Sequence, residues 1–572
     1  MKIKSIISYA SALLIGLASL NAQKLEQKPL VDIIKVPTGP ANQDSTWKVP
    51  MIAWGGDLQE IEANGGLETA AGSIFASEGL KVKLFREDDF RKQVELYKKG
   101  DINFLRGTVG MLNSATELLN QDEATKFEVI HLLTRSVGGD ALVTKSNIKN
   151  AKDLKGKTIA IQAYGPHVDY LTTILRTIGL STNDVKVVWC PDLFQVNDQS
   201  FSPAMALEQA DVDAAFAIIP DALAITNNGT VGTGAEGTIK GAKILLSTKT
   251  ASNVIYDAYA VRKSFAVKHP NKINAFVRGM LKGQEKLAEK MKKNDKVTLQ
   301  RGAKILLDDA SATEDMAGMY ADAAHASWAE NKAFLTGTSG RTFKQVSDSV
   351  QGDFVTMGLL SRKVPIGSSL VNFDQIKGGI KNLAENTAAR FNKDKVQQTI
   401  ETKRKKGELS DDELYSFEIY FQPGQNVFSA DQYEAEFNKA IELMSVYGGA
   451  ILTVEGHSDP LGYLKNKYKA KATPVVLQRQ KQAALNLSLS RANSVKKSLI
   501  SYALQSNVTL DESQFGTIGH GVVHPTFKLA ADGDIDKSNA PKSKDEWNKM
   551  RRVKFRLIQI EAETEVFEAL DF

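Results

Sequence analysis

The sequence contains one cysteine, Cys190, among its 572 residues. No intrachain disulfide and no cysteine-based metal cluster can therefore form. Charge of one sign is also lacking, because 72 Lys and Arg face 67 Asp and Glu and leave a net charge of +5. This balance gives no support to nucleic acid as a partner. With 42% hydrophobic residues, the chain has ample material for packed cores, and at roughly 150 residues per domain its length predicts about four compact units.

Long hydrophobic runs are confined to the N-terminus, so no later segment is predicted to cross a bilayer. Residues 1–22 have the pattern of a signal peptide: Lys2 and Lys4 precede an apolar stretch that ends in small residues at Ala22. We therefore expect export to the periplasm of a Gram-negative bacterium, with residues 23–45 as an N-terminal extension. The sequence leaves open whether the signal segment is retained as an anchor.

Residues 46–372 alternate short apolar runs with helical stretches and loops that contain glycine or proline. Residues 157–161 and 213–219 are two such runs, and each ends in a polar loop that opens a helix. This order is typical of βαβ units and predicts an α/β fold. In open α/β sheets, ligands bind where the strands end.

Four segments in order resemble the periplasmic solute-binding proteins of the nitrate, sulfonate and taurine type, which serve ABC transporters. They are residues 143–160, 175–185, 206–215 and 268–277. The resemblance implies a type II-like periplasmic-binding-protein fold over residues 46–372. Two α/β lobes are then joined by a double crossover, and a small solute binds in the cleft between them. An ABC permease is the further partner that this resemblance implies.

The candidate cleft residues are polar or aromatic side chains at the predicted strand ends, and they suit two kinds of solute. Those that suit an anion are Arg106, Thr108, Arg135 and Ser136, whereas those that suit an ammonium group or an amino acid are Trp54, Asp57, Asp140, Tyr164 and Asp221. His167 lies on the same loop as Tyr164 and completes the set. The sequence leaves the identity and the charge of the solute open.

Residues 373–412 are rich in charge and end near the basic run 403–406, so we interpret them as a charged helical linker. Residues 413–563 form a smaller α/β module, and residues 564–572 are a tail. In this module, a predicted strand at 450–454 leads into a polar loop that ends at Asp459. We expect a second helix to begin at Ser488 as N-cap. Arg491 then falls in the first turn, where the helix dipole disfavours a cation, and a broken local rule often marks a functional residue.

Four motifs of this module resemble the OmpA-like peptidoglycan-binding domain. They are residues 454–459, 487–495, 519–521 and 551–553, and they include Gly456, His457 and Arg552. The resemblance implies non-covalent binding of peptidoglycan, with Asp459 and Arg491 holding the diaminopimelate of the stem peptide. One carboxylate and one guanidinium match the ammonium and carboxylate of that amino acid.

This module departs from the family pattern in two places. A basic insertion spans about 463–486 and contains the cations Lys465, Lys467, Lys469, Lys471, Arg479 and Lys481. We expect a solvated loop there; the alternatives are a reshaped stem-peptide pocket and added attraction to acidic wall or lipid groups. Met550 stands where the family usually has Asn, which bears on the detailed contacts of the pocket.

Other motif-like patterns do not point to a cofactor or a metal. Residues 232–237 spell G-x-G-x-x-G without a preceding strand, and His520 and His524 lie in a segment rich in glycine and proline. We therefore expect no cofactor, no metal and, because no catalytic pairing can be named, no enzyme. The alternative is a structural or motility-associated scaffold anchored to peptidoglycan, in which residues 46–372 dock an outer-membrane or other envelope protein. Polar residues lining the cleft favour the solute, whereas a cleft filled by apolar side chains favours the scaffold.

Overall fold

The computed structural model describes residues 25–195, 199–235, 237–338, 341–383, 391–410, 413–421, 430–506, 508–523 and 540–559. The predicted signal peptide, the tail 564–572 and His524 lie outside these residues. The strands are β1 (Trp47–Met51), β2 (Val82–Arg86), β3 (Phe104–Thr108), β4 (Phe127–Ser136), β5 (Asp140–Thr144), β6 (Thr158–Gln162), β7 (Lys186–Cys190), β8 (Ala214–Ile218), β9 (Lys243–Ser247), β10 (Tyr256–Arg262), β11 (Ala323–His325), β12 (Glu413–Tyr420), β13 (Ile451–Gly456), β14 (Phe515–Gly519) and β15 (Arg552–Ile558).

The helices are α1 (Leu30–Ile33), α2 (Leu58–Asn64), α3 (Ile74–Ser77), α4 (Phe90–Lys99), α5 (Val109–Ser114), α6 (Thr116–Leu119), α7 (Val168–Thr177), α8 (Pro203–Leu207), α9 (Ile219–Ile225), α10 (Lys263–Lys268), α11 (Pro270–Lys292), α12 (Lys296–Leu306), α13 (Thr313–Ala321), α14 (Trp328–Thr336), α15 (Phe343–Met357), α16 (Lys393–Lys406), α17 (Glu434–Val446), α18 (Leu461–Leu464), α19 (Pro474–Gln505) and α20 (Lys544–Met550). Among the described residues, no helix combines the length and the apolar character that a membrane span requires.

The first lobe is built on a four-stranded sheet in the order β11-β4-β10-β3, and the parallel pair β1-β2 lies beside it. Strand β10 is antiparallel to both β3 and β4. The strands β3 and β4 are buried along almost their whole length, as expected for apolar runs covered by helices on both faces. Helix α14 packs on β4, and helices α4 and α5 pack on β3.

The second lobe is built on a five-stranded sheet in the order β7-β6-β8-β5-β9. Strand β6 is parallel to β7 and β8, whereas β5 is antiparallel to β8 and β9. Helix α7 follows β6 and buries nine of its ten residues, so it lies deep between neighbouring elements.

The chain passes between the two lobes twice. It leaves the first lobe at the end of β4, enters the second at the start of β5, and returns between β9 and β10. The first passage is the short segment 137–139 and the second is residues 248–255. The predicted α/β fold with two lobes and a double crossover is therefore confirmed.

The C-terminal module is an α/β unit with the sheet order β12-β15-β13-β14. Strands β13 and β14 are parallel, and β15 is antiparallel to β12 and β13. Helix α16 arises within the segment interpreted as a linker, yet it packs on this sheet. The buried side chain of Ile400 lies so close to Gly516 that a Cβ there would meet its Cδ1 at 2.0 Å.

Helix α19 corrects two expectations about the C-terminal module. Ser488 does not begin a helix, because α19 runs without interruption from Pro474 to Gln505 and Ser488 is buried in its interior. The hydroxyl of Ser488 donates to the carbonyl of Leu485 at 2.8 Å. The insertion 463–486 is likewise mostly helical rather than a loop, since Pro474 occupies the first helical turn and good helix formers follow it.

The C-terminal module packs on the second lobe and on the second crossover. Tyr447 and Thr177 share a buried hydrogen bond of 2.8 Å, and the amide of Gly449 donates to the carbonyl of Thr250 at 3.0 Å. The amide of Asn253 donates to the carbonyl of Val446 at 3.1 Å. One contiguous hydrophobic core includes α17 together with both lobes.

Candidate functional site

Arg106 lies fully buried in β3 and belongs to an internal ion-pair network. Its Nε donates to Asp57 at 3.1 Å, and its Nη1 donates to Asp257 at 2.7 Å. Burial alone would lower the pKa of this guanidinium, but the two carboxylates outweigh it and raise the pKa. The charge of Arg106 is thus neutralised inside the protein. The sequence suggests Arg106 as a residue that suits a solute anion, but its buried side chain is not exposed to one.

Thr134 and Trp54 extend this network towards the first crossover. The hydroxyl of Thr134 donates to Asp257 at 2.9 Å, and the indole Nε1 of Trp54 donates to that hydroxyl at 2.9 Å. The Trp54 ring lies against Gly139, where an added Cβ would come within 2.5 Å of it. Trp54 is thereby fixed between the first lobe and the chain that leads to the second.

Ser136, Asp140 and His167 lie close together, and they bond to one another. The hydroxyl of Ser136 donates to Asp140 at 2.6 Å, and Nε2 of His167 lies 2.7 Å from the other carboxylate oxygen. The hydroxyl of Thr248, on the second crossover, accepts a hydrogen bond of 3.0 Å from the amide of Gly138. These buried residues therefore hold the two crossovers together.

The remaining predicted cleft residues occupy different surroundings. The hydroxyl of Thr108 accepts the amide of Met111 and caps α5. The hydroxyl of Tyr164 donates to the carbonyl of Lys28 at 2.5 Å, which ties this residue to the N-terminal extension. Asp221 stands in the first turn of α9, where burial raises its pKa to about 6. Arg135 donates to Asn253 at 2.6 Å and pairs with Glu330 at 3.0 Å.

Asp169, which sequence reasoning missed, is the carboxylate at the contact between the lobes. It lies in the first turn of α7 in the second lobe and is 1% exposed. It faces Gly110 of α5 in the first lobe, where an added Cβ would lie 2.5 Å from the Asp169 Cγ. Within the part of the chain that the structure describes, neither carboxylate oxygen has a hydrogen-bond partner of ordinary geometry.

The pKa of Asp169 reflects these surroundings. Burial raises it to about 7, and the charge of Asp257 adds to the rise. The amides of the first turn of α7 and the charge of Arg341 offset this effect in part. An acidic residue in a first helical turn ordinarily indicates a favourable dipole interaction, so no separate signal in the sequence points to this site.

Asp459 and Arg491 of the C-terminal module lie in one region with Arg551. The Asp459 carboxylate accepts the amide of Leu461 at 3.0 Å and the Nη1 of Arg551 at 2.9 Å. Arg491 stacks over Phe421 at 5.7 Å. Burial lowers the pKa of Arg491, and the charge of Asp459 offsets that effect in part.

Arg551 forms the ion pair with Asp459, whereas Arg552, which the sequence suggests as a peptidoglycan-binding residue, pairs with Glu418. Arg551 follows α20, whereas Arg552 is the first residue of β15, and the buried Arg552 donates from Nε to Glu418 at 2.8 Å. Gly456 allows β13 to approach α19, because a Cβ there would lie 1.9 Å from the carbonyl oxygen of Ser488.

Glu455, His457 and His520 bring three side chains with metal-ligating atoms within 4.8 Å of one another. The two imidazole rings stack with centroids 4.5 Å apart, and His520 lies 3.1 Å from Glu455. Glu455 also accepts the Nε of Arg556 at 2.7 Å. Burial raises the pKa of Glu455, but His520 and Arg556 together outweigh it and lower the pKa to about 2. The arginine already balances the carboxylate charge, so the cluster is explained without a metal.

Residues 46–372 therefore have a two-lobed α/β fold, in which the chain crosses twice between the lobes. Residues 72–293 match the family model described as NMT1/THI5 like. Over 217 residues the chain is 27% identical to the taurine-binding periplasmic protein of Escherichia coli (strain K12). This alignment covers 38% of the chain and 60% of that relative's length.

Solved structures similar to the chain include three binding proteins. One is the alkanesulfonate-binding protein SsuA of Xanthomonas axonopodis pv. citri, bound to MOPS, with a TM-score of 0.38 and 13% identity. Its alignment covers 59% of this chain and 99% of the SsuA chain. The aliphatic sulphonate-binding protein SsuA of Escherichia coli has a TM-score of 0.39 and 13% identity, with 60% and 96% coverage. The nitrate-binding protein NrtA of Synechocystis PCC 6803 has a TM-score of 0.36 and 14% identity, with 60% and 100% coverage.

Proposed function

We propose that this chain is a periplasmic solute-binding protein of the ABC-transporter type, whose C-terminal module holds it on the cell wall. The observation that carries the first part is the double crossover between two α/β lobes, in the region that contains the family match. A small solute binds between the lobes and stabilises their closed arrangement. An ABC permease then receives the solute.

A thermal-unfolding screen of the mature chain tests solute binding. The panel contains taurine, alkanesulfonates, nitrate, phosphonates and amino acids. A ligand that binds only the folded state at about 100 times its dissociation constant stabilises that state by about 2.7 kcal/mol. One chemical class is expected to raise the melting temperature. A flat response across the panel contradicts the proposal.

The proposal for the C-terminal module is an OmpA-like domain that binds peptidoglycan without making or breaking a bond. Asp459, Arg491 and Arg551 supply one carboxylate and two guanidinium groups in one region. A stem-peptide diaminopimelate presents an ammonium and a carboxylate, and these charges complement the two kinds of group. Gly456 and His457 lie on the strand and loop that lead to Asp459.

Sedimentation with purified diaminopimelate-type peptidoglycan tests this second part. The wild-type chain is expected to enter the pellet, and Asp459→Ala and Arg491→Ala are expected to remain in the supernatant. Arg479→Ala is the matched control, because Arg479 is an exposed cation on the same helix. Equal sedimentation of all four proteins contradicts the assignment of the pocket.

A peptidoglycan-anchored scaffold is the second candidate, and the packing of the C-terminal module on the second crossover favours it. The hydrogen bonds of Gly449 and Asn253 restrain the segment about which the lobes would move. In this case, residues 46–372 dock an envelope protein and bind no solute. Sedimentation with peptidoglycan together with a flat solute screen is the result that selects the scaffold.

A further inference from the structure

We infer that the solute carries a primary ammonium group and that the carboxylate of Asp169 is its counter-ion. This inference rests on the proposed solute-binding function and deepens it. It concerns the choice between an anionic and an ammonium-bearing solute, which the sequence left open. The inference is supported by the charged groups near the point where the two lobes meet, at Asp169 and Gly110.

The position of Asp169 is that of a ligand-binding residue in a two-lobed protein. Its side chain projects from the second lobe onto Gly110 of the first, so it lies where the two lobes meet. Any opening of the lobes separates this pair and exposes the carboxylate. Glycine at 110 lets α5 approach until the carboxylate lies against its backbone, so a solute reaches Asp169 when the lobes open.

The carboxylate of Asp169 lacks the partner that a buried charge needs. It is 1% exposed, and neither oxygen has a hydrogen bond of ordinary geometry among the described residues. A buried ionised carboxylate without a partner is costly, whereas the same group paired with a cation is stable. The other acids of the region differ, since Asp57 and Asp257 pair with Arg106 and Asp140 bonds to Ser136 and His167.

The cations of the region do not supply that partner. Arg106 is shared by two carboxylates, and Arg341 donates its Nη1 to the carbonyl of Asn253 at 2.9 Å. The carboxylates of Asp57, Asp140 and Asp257 thus face two guanidinium groups, and ionisation of Asp169 adds a fourth carboxylate. This excess of negative charge attracts a cationic group and repels an anion placed at the same position. An ammonium supplies up to three N–H donors for the two free oxygens.

Calorimetric titration of the mature chain with matched pairs of solutes tests the inference. The members of each pair differ only in their ammonium groups: taurine with isethionate and β-alanine with propionate differ in one, and putrescine with 1,4-butanediol differs in two. The wild-type chain is expected to bind at least one ammonium-bearing member about tenfold or more tightly than its counterpart, because the ammonium forms charge-assisted hydrogen bonds with the carboxylate. Asp169→Asn is expected to abolish that preference.

Asp211→Asn is the matched control, because Asp211 is an exposed carboxylate of the same lobe. It is expected to keep the wild-type preference. Asp169→Asn replaces the buried carboxyl group with an amide of nearly the same shape. A melting temperature at or above that of the wild type shows that this variant folds. Preference for the ammonium-free members, or an unchanged preference in Asp169→Asn, overturns the inference and leaves solute binding intact. Failure of every solute to bind the wild type overturns the proposed function and this inference with it.

Discussion

Tyr447 of the C-terminal module and Thr177 at the end of α7 share a hydrogen bond of 2.8 Å between their buried hydroxyl groups. Helix α7 begins at the contact between the lobes, where it carries Asp169, and it ends at this hydrogen bond. Ten residues of one helix thus connect the candidate solute site with the candidate wall-binding module. This connection leads to the first prediction.

Tyr447→Phe is expected to lower the free energy of unfolding by about 1 kcal/mol, because it removes one buried hydrogen bond at nearly constant volume. Chemical denaturation of the mature chain measures the change. Tyr502→Phe serves as the control, since the Tyr502 hydroxyl makes an exposed hydrogen bond of 3.3 Å. An equal loss in both variants, or none in Tyr447→Phe, contradicts the role of the contact between the modules.

Asp169→Asn is expected to stabilise the solute-free protein more strongly as the pH rises. Below about pH 4, Asp169 is protonated in both states and the two proteins have similar stability. Between pH 4 and pH 7 the unfolded chain releases the proton at the ordinary value of 3.8, while the folded chain keeps it up to about 7, so wild-type stability falls. The difference above pH 7 approaches about 4 kcal/mol, at 1.36 kcal/mol for each pKa unit.

Unfolding curves of Asp169→Asn and the wild type from pH 4 to pH 8 measure this difference. Arg341 and Asp257 are the charged groups that act on Asp169, and both are the same in the two proteins. Asp211→Asn again provides the control and is expected to follow the wild type at every pH. A constant offset between Asp169→Asn and the wild type contradicts the elevated pKa of Asp169.

Gly110→Ala is expected to weaken binding of every solute by a similar factor. The new Cβ would lie 2.5 Å from the Cγ of Asp169, so the two lobes cannot approach as closely as they do here. Gly318→Ala is a suitable control, because an added Cβ there meets nothing within 4 Å. Calorimetric titration with the ligand found in the screen measures the loss. Wild-type affinity in Gly110→Ala would show that solute binding does not depend on this contact.

Glu455→Gln is expected to destabilise the C-terminal module at neutral pH. The carboxyl pKa falls from 4.5 in the unfolded chain to about 2 in the folded one, so the ionised form contributes about 3 kcal/mol of stability above pH 4.5. This contribution disappears as the pH falls through about 2. Denaturation at pH 7 and at pH 2 measures it, with the exposed Glu434→Gln as control. A similar loss at both pH values would rule out the ion pairs with Arg556 and His520 as its source.

The two lobes were predictable because the signals for strands and for the loops that end them are local in the sequence. The state of Arg106 was not predictable, since its partners Asp57 and Asp257 come from distant parts of the chain. Asp169 escaped notice for the same reason. Its position after Gly165 and Pro166 indicates an ordinary first helical turn, and only the approach of Gly110 makes it exceptional.

Helix α19 shows the opposite limit, in which a local signal is overridden. Ser488 has the residue type of an N-cap, but the residues before it are good helix formers, and the helix begins at Pro474 instead. Arg491 is therefore a mid-helix residue, and the dipole argument for its function does not apply. Its proximity to Asp459 and Arg551 now supports the proposed pocket.

A solute that binds between the two lobes contacts both of them, and hydrogen exchange of the mature chain measures this directly. The ligand identified in the unfolding screen is added at saturation, and exchange is compared with and without it. Exchange is expected to slow in both α5 of the first lobe and α7 of the second. Protection confined to one lobe, or found only in the C-terminal module, would contradict binding between the lobes.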